Sequence, residues 1–314
     1  MKRLVLVVGV GRSGTSLLAG VLGQLGFHIP QPEITADDTN PKGFGEPRWV
    51  VDFHTKLMRR LRVIVFDARP VAFDKTADVD DEGELRAWLA GELAQADDIV
   101  VKDPRTGWFL GLWERASADA GARTVQITML RHPAEILASA RRSYGDWQSD
   151  ASRAAAWLNV MLETERQTRG AARVYVRYED LLEDWRGQMA RAGRTLDLPL
   201  LVDIAPERAA EVDAFVDPSL RRARTGWEGL EVPESVRELC ERVWGLFLAL
   251  AAPEVTREYS HAQLDAAHEE YRKLYAEAEA ISQPSVTAAR PRKKVSPPTL
   301  RVRIKRRLRR LAGR

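Results

Sequence analysis

Cysteine is almost missing from this chain. Cys240 stands alone among 314 residues, so no internal disulfide framework exists and the composition suits a reducing compartment. It falls in the helical pattern Val236-Arg-Glu-Leu-Cys-Glu-Arg-Val-Trp244, which makes it a packing residue rather than a reactive one. Long apolar runs are missing too. The N-terminal run Leu4–Val8 stops at Gly9 and is broken again at Arg12, too short for the core of a secretory signal. The longest later stretch, Trp244 to Ala252, is too short to span a bilayer. These absences lead us to expect a cytoplasmic protein without a membrane span. The five histidines are scattered without metal-ligand spacing, and structural or solvated roles suit them better. No internal repeat is present. What remains is ordinary globular material, 45% hydrophobic and 30% charged, long enough for one large α/β domain with appendages or for two domains.

The net charge of +3 hides an asymmetry. Residues 290–314 hold 12 Lys and Arg and no acid, which leaves 36 basic against 45 acidic residues before them. A mildly acidic body therefore carries a strongly basic tail.

Leu4–Val8 reads as a buried strand ending in a glycine turn, and Leu17, Leu18, Val21, Leu22 and Leu25 follow at helical spacing. Residues 30–47 are rich in Pro, Asp, Asn and Gly and read as a loop; 49–62 and 82–95 read as helices. Further strands are expected at Ile99–Val101, Thr124–Leu130 and Val174–Val176, each followed by a helical pattern. This alternation predicts an α/β fold with a central parallel sheet covered on both faces, with ligands at the carboxyl ends of the strands. A long charged helix is expected from about Ser260 to Ile281, with Leu264, Tyr271, Leu274, Ala278 and Ile281 along one side, packing on the body or pairing with another chain. Four segments result: a main domain over 1–259, this helix over 260–281, a disordered linker over 282–299 and a basic amphipathic tail over 300–314.

Gly9-Val-Gly-Arg-Ser-Gly-Thr-Ser16 joins the first strand to the first helix. Its glycines let backbone N–H groups turn inward, and the helix N-terminus adds partial positive charge, so the segment is an anion cradle. Gly9 and Gly14 match the glycines of the triphosphatase loop G-x-x-x-x-G-K-[ST], but Thr15 stands where that loop has its lysine. The absence argues against an ATP or GTP enzyme. Taken alone, a glycine-rich turn that binds nothing is the competing reading.

Three further segments sit at strand ends. Thr128-Met-Leu-Arg-His-Pro-Ala-Glu-Ile-Leu-Ala-Ser-Ala-Arg141 runs from a strand into a helix opened by Pro133 and places Ser139 eight residues past Arg131. Ile99-Val-Val-Lys-Asp-Pro-Arg105 ends a strand on Lys102, well placed to stabilise a leaving phosphate. Val174-Tyr-Val-Arg-Tyr-Glu-Asp-Leu-Leu182 follows another strand. Together with Arg12-Ser-Gly-Thr-Ser-Leu-Leu18 these resemble, in order, the motifs of sulfotransferases that use 3′-phosphoadenosine 5′-phosphosulfate (PAPS), in the bacterial carbohydrate and tyrosylprotein branch. The resemblance implies the P-loop-type three-layer fold of that superfamily, here with a C-terminal helical extension, and PAPS as co-substrate with no metal. It puts Gly11, Arg12, Ser13, Gly14, Thr15 and Ser16 around the donor's 5′ end, Arg131 and Ser139 on its 3′-phosphate and Tyr178 near the adenine. Lys102 and Arg12 become the cations at the departing phosphate. Asp103 keeps a rival reading as a magnesium ligand in a phosphotransferase, and Tyr178 as a packing residue. Asp217-Pro-Ser-Leu-Arg-Arg-Ala-Arg224 resembles a further family segment whose Arg221 or Arg222 closes over the donor; we include Arg222 in the expected site, with a solvated basic turn as the alternative.

An acceptor hydroxyl must lose its proton as it attacks sulfur. Small-molecule sulfotransferases use a His two residues after the lysine, and here that position is Pro104. The string Asn40-Pro-Lys-Gly-Phe-Gly-Glu-Pro47 resembles one common in bacterial members and makes Glu46 the candidate base, with Glu33 in reserve. Trp49, Phe53, Trp108 and Trp113 are available to stack on an acceptor, or belong to the core. We expect a carbohydrate or glycolipid acceptor. In the tail, Leu300, Ile304, Leu308 and Leu311 recur at helical spacing on a basic background. That pattern suits a helix lying on an anionic membrane at its inner face, with nucleic acid as the weaker rival and a solvated idle tail as the other.

Overall fold

Each of the four apolar runs forms a strand in the computed structural model, which describes residues 1–37, 40, 42–217, 226–252 and 257–289. The strands are β1 (Lys2–Val8), β2 (Asp98–Lys102), β3 (Ala122–Leu130) and β4 (Arg173–Arg177). Between β1 and β2 lie helices α1 (Thr15–Gln24), α2 (Arg48–Leu61), α3 (Val71–Ala77) and α4 (Glu82–Leu93). Helix α5 (Leu110–Asp119) connects β2 to β3, and α6 (Pro133–Tyr144) with α7 (Asp150–Gln167) connects β3 to β4. After β4 come α8 (Tyr178–Glu183), α9 (Trp185–Leu196), α10 (Pro206–Phe215), α11 (Glu234–Ala251) and α12 (Arg257–Ala289).

The sheet is parallel throughout, in the order β2-β1-β3-β4. Its alternating side chains feed two cores. Leu4, Leu6 and Val8 join Ile99, Val101 and Leu130 on one face, under α2 to α7 and α11. Val5 and Val7 join Val100, Ile127 and Val176 on the other, under α1 and α8 to α10. Burial on both faces is why the strands read as continuous apolar runs rather than alternating ones. This is the expected three-layer α/β fold.

Register decides where chemistry collects. Val7 pairs with Lys102, Val8 with Thr128, and Leu130 with Arg177, so the four strands end together. From β1 the chain moves to one side for β2 and then crosses back for β3 and β4. The carboxyl ends of β1 and β3 therefore flank the crevice where the winding reverses, the usual ligand position in such sheets.

Helix α7 is buried on most sides and carries acids that must be paired there. Glu165 meets Arg169 at 2.7 Å and Arg173 at 2.9 Å, while Glu163 meets Arg166 and His268, both at 2.8 Å. His268 belongs to α12, whose Leu264, Ala267 and Tyr271 enter the core and whose Tyr271 hydroxyl donates to the Ala68 carbonyl. One compact unit accordingly extends from Met1 through Tyr275, past the boundary expected at 259. The described part of the second unit, 276–289, is the remainder of α12, and its side chains are exposed through residue 288. Thus Leu264 and Tyr271 of the expected stripe are buried, whereas Ala278 and Ile281 are not. Residues 282–289, expected as linker, are helical with Pro284 inside. The preceding Ala276-Glu-Ala-Glu-Ala280 consists of strong helix formers and carries the helix past the proline that marked the expected break. The rest of the linker and the tail lie outside the described residues. Cys240 is fully buried, and burial pushes its thiol far above the ordinary range, as its packing role requires. No described helix is long and apolar enough to cross a membrane.

Candidate active site

The loop from β1 to α1 turns through three residues at positive φ, Gly9, Arg12 and Gly14. Gly14, at φ 100°, sits at the mouth of α1, and a Cβ there would run into the Tyr178 ring. Arg12 adopts φ 75° without being glycine, a conformation that costs roughly 1–2 kcal/mol and that gathers at functional loops. Thr15, Ser16 and Leu17 open α1, so their N–H groups have no intrahelical acceptor. Gly11, Arg12, Gly14, Thr15 and Ser16 line a cavity of about 870 Å³, large enough for a nucleotide. Ser13 does not line it. Its N–H donates to the Val10 carbonyl at 3.1 Å, and its buried hydroxyl lies beside Gly9 with no hydrogen-bond partner among the described residues.

Arg131, Ser139 and Tyr178 line the same cavity. Arg131 is fixed three ways: Nε donates to Glu135 Oε2 at 2.9 Å, Nη1 donates to the Arg12 carbonyl at 3.1 Å, and the guanidinium lies 4.6 Å over the Tyr178 ring. Pro133 starts α6 at once, which brings Glu135 against Arg131 four residues earlier and carries Ser139 back to the cavity. Arg12 Nε donates to Ser139 Oγ at 3.1 Å, so this cation reaches toward α6 rather than toward Lys102.

Lys102, at the end of β2, is 2% exposed and connects two features that sequence left separate. Its Nζ donates to Ser16 Oγ of the loop at 3.1 Å and to Glu46 Oε1 at 2.5 Å. Burial pushes the Glu46 carboxyl above the ordinary glutamate range, against the opposing pull of Lys102. Glu33, the reserve candidate, does not line the cavity and accepts from Gln31 Nε2 at 2.8 Å. Both oxygens of Asp103 are engaged: Oδ2 accepts from His54 Nδ1 at 3.0 Å and Oδ1 from Arg105 Nη1 at 2.8 Å. Burial alone would raise this carboxyl, but His54 and Arg105 hold it below the usual aspartate range. A magnesium ion would have to displace one of these partners, which counts against the phosphotransferase reading. Arg222 and Arg221 lie outside the described residues.

None of the four aromatic residues considered for stacking lines the cavity; they pack in or against the core. Phe53, Trp108 and Trp113 are buried, and Trp49 stacks on Trp88 at 4.5 Å between ring centres. The cavity takes its aromatic lining from Phe44, Phe66, Tyr144, Trp147 and Phe215 instead. Side-chain size favours burial, and these five lie in loops or at helix ends, where no periodicity marks them. Arg105 also lines the cavity. Its signal was a second cation three residues past Lys102 on the same strand end.

No curated protein matches the chain. The structure is similar to the sulfotransferase domain of the Synechococcus PCC 7002 olefin synthase, at 17% identity and a TM-score of 0.46, over 79% of this chain and 96% of that one. It is also similar to sulfotransferase STF1 of Mycobacterium tuberculosis H37Rv, at 17% identity and a TM-score of 0.39, over 71% of this chain and 76% of that one. The model of the Sulfotransferase family matches residues 5–203, a span that takes in the loop, Glu46, Lys102, Arg131, Ser139 and Tyr178. With that match over most of its length, the chain belongs to the sulfotransferase family.

Proposed function

We propose that the protein transfers the sulfuryl group of PAPS to a hydroxyl of a carbohydrate or glycolipid by in-line displacement. The observation that carries this reading is the Lys102 ammonium, bonded at once to the phosphate loop through Ser16 and to the buried carboxylate of Glu46. One cation thus stands between an anion cradle and a base.

The loop N–H groups at the start of α1 hold the 5′-phosphate, and Arg131 with Ser139 holds the 3′-phosphate beside Tyr178. Ser139 is then exchanged for a donor phosphate as the partner of Arg12. Glu46 takes the acceptor proton as the acceptor oxygen bonds to sulfur. The bond from sulfur to the 5′-phosphate oxygen breaks, and Lys102 stabilises the charge left on that oxygen. As Lys102 turns to the donor it releases Glu46, whose burial then favours proton uptake. A sulfuryl group is less negative than a γ-phosphoryl group, so protein cations suffice for the leaving charge. The basic tail, residues 300–314, attaches the enzyme to an anionic membrane surface, where a lipid-linked glycan would be within reach.

Thermal stabilisation by 3′-phosphoadenosine 5′-phosphate (PAP), compared with ATP plus Mg²⁺, tests the reading, because a ligand that binds the folded state raises its apparent stability. PAP is expected to stabilise strongly and ATP–Mg²⁺ little. Stabilisation by ATP–Mg²⁺ alone overturns the proposal.

A further inference from the structure

Arg105 is fixed far more firmly than a turn residue on a cavity wall requires. Its main-chain N–H and its Nη1 both donate to Asp103 Oδ1, at 2.9 and 2.8 Å. Asp103 is fully buried and takes His54 Nδ1 on its other oxygen at 3.0 Å. His54 is buried as well, and its Nε2 accepts from Trp113 Nε1 at 3.0 Å, which leaves Nδ1 as the proton-bearing nitrogen. A chain of hydrogen bonds therefore runs from Trp113 in the core through His54 and Asp103 to one guanidinium on the cavity. Such buried polar chains are costly unless every member is satisfied, and when satisfied they lock the group at their end.

That group lines the same cavity as the proposed base. It lies three residues past Lys102, and its downward pull on the Glu46 carboxyl is smaller than the upward push of its partner Asp103. The charge of the cavity wall is strongly one-sided. Arg12, Lys42, Lys102, Arg105, Arg131 and Arg142 line the cavity, and among its described lining residues Glu46 is the one acid. The donor's two anionic ends engage Arg12, Lys102 and Arg131, whereas Arg105 is paired only through Nη1, to Asp103, and its Nε and Nη2 have no hydrogen-bond partner among the described residues.

We propose that Arg105 anchors an anionic group of the acceptor, so that the hydroxyl reaches Glu46 on a molecule bearing a carboxylate or a phosphate. This rests on the reading of the site as a PAPS sulfotransferase and narrows its acceptor. The planar guanidinium takes either oxyanion through paired N–H donors, its Asp103-bound nitrogen keeping the fork oriented.

The test uses the full chain saturated with PAP, so that added anions cannot occupy the phosphate sites. Binding is measured for two matched pairs of probes: methyl glucuronide against methyl glucoside, and glucose 6-phosphate against glucose. At least one anionic member is expected to bind about tenfold or more tightly than its neutral partner, the worth of one charge-assisted hydrogen bond. Which pair shows the larger ratio distinguishes carboxylate from phosphate. In Arg105→Gln that ratio falls to near one, and in Arg105→Lys, which keeps the charge but not the paired donors, it falls to an intermediate value. PAP binding by each variant reports whether the site has folded, and Arg105→Lys keeps the test open if the glutamine variant does not. Equal or undetectable binding within both pairs, or a ratio that neither variant lowers, overturns the assignment of Arg105. Failure of the wild type to bind PAP at all counts instead against the sulfotransferase reading of the site.

Discussion

Burial and a neighbouring lysine pull the Glu46 carboxyl in opposite directions, and burial is the larger effect. Its folded pKa therefore lies above the usual value of about 4.3 for glutamate. A base acts only when deprotonated, so kcat/KM should fall as pH drops through this raised pKa, giving an acid limb above the ordinary glutamate range. Glu46→Gln should lower kcat by roughly 10²–10⁴ while PAP still binds, and whatever rate remains should lack the limb. A rate profile for Glu46→Gln that keeps both the limb and near-normal turnover removes Glu46 from the mechanism. At this scale the placement of Lys102, Arg131 and Tyr178 at strand ends, and of Ser139 on the helix after β3, was legible, because each sits at a fixed spacing from a strand the sequence marks clearly. The contact between Lys102 and Glu46 was not, since 56 residues separate them and only the fold brings them to 2.5 Å. His54 was equally silent: it sits within an amphipathic helix, and its link to Asp103 spans 49 residues.

Among the elements, the junction of loop and α1 is the most tightly specified. Gly14→Ala puts a Cβ at positive φ, at a strain of about 1–2 kcal/mol, and drives it against the Tyr178 ring that packs there. The expected result is at least a tenfold loss of PAP affinity together with a lowered melting temperature. Gly91→Ala is the contrasting case: its position in α4 is open, and alanine there should add about 0.5–1 kcal/mol of stability and leave PAP binding alone. If Gly14→Ala binds PAP as the wild type does, the loop is not the phosphate cradle. Strands were the easiest elements to read, since two-sided burial leaves unbroken apolar runs. The reach of α12 was the hardest, because Pro284 argued for a break and helix propensity on its N-terminal side argued against one.

For the whole molecule, the described residues of the site all belong to the compact unit that ends at Tyr275, and the basic tail lies beyond that unit in the chain. Deleting residues 290–314 removes 12 positive charges and no acid. It should abolish binding to vesicles containing anionic lipid while leaving the melting temperature and PAP stabilisation of the body unchanged. Vesicle binding that survives the deletion refutes the membrane role of the tail. A cut before Arg257 should behave differently. It strips Leu264 and Tyr271 from the core and leaves Glu163 without His268, so stability should drop by roughly 3–6 kcal/mol from lost apolar burial.

The loop Gly9–Ser16, the strand-end motifs and the order in which they occur are local properties, and the sequence alone determined them along with the parallel sheet that aligns them. Backbone propensity and periodicity act over a few residues, which is as far as a motif extends. Tertiary structure decided which carboxylate meets Lys102, that Ser13 turns beneath the loop, that Trp108 and Trp113 belong to the core, and that Arg105 is braced from Trp113 through two buried partners. Apart from the local turn at Ser13 and the bond from Arg105 to Asp103, these are contacts across tens of residues, set by how helices pack on the sheet rather than by any pattern along the chain.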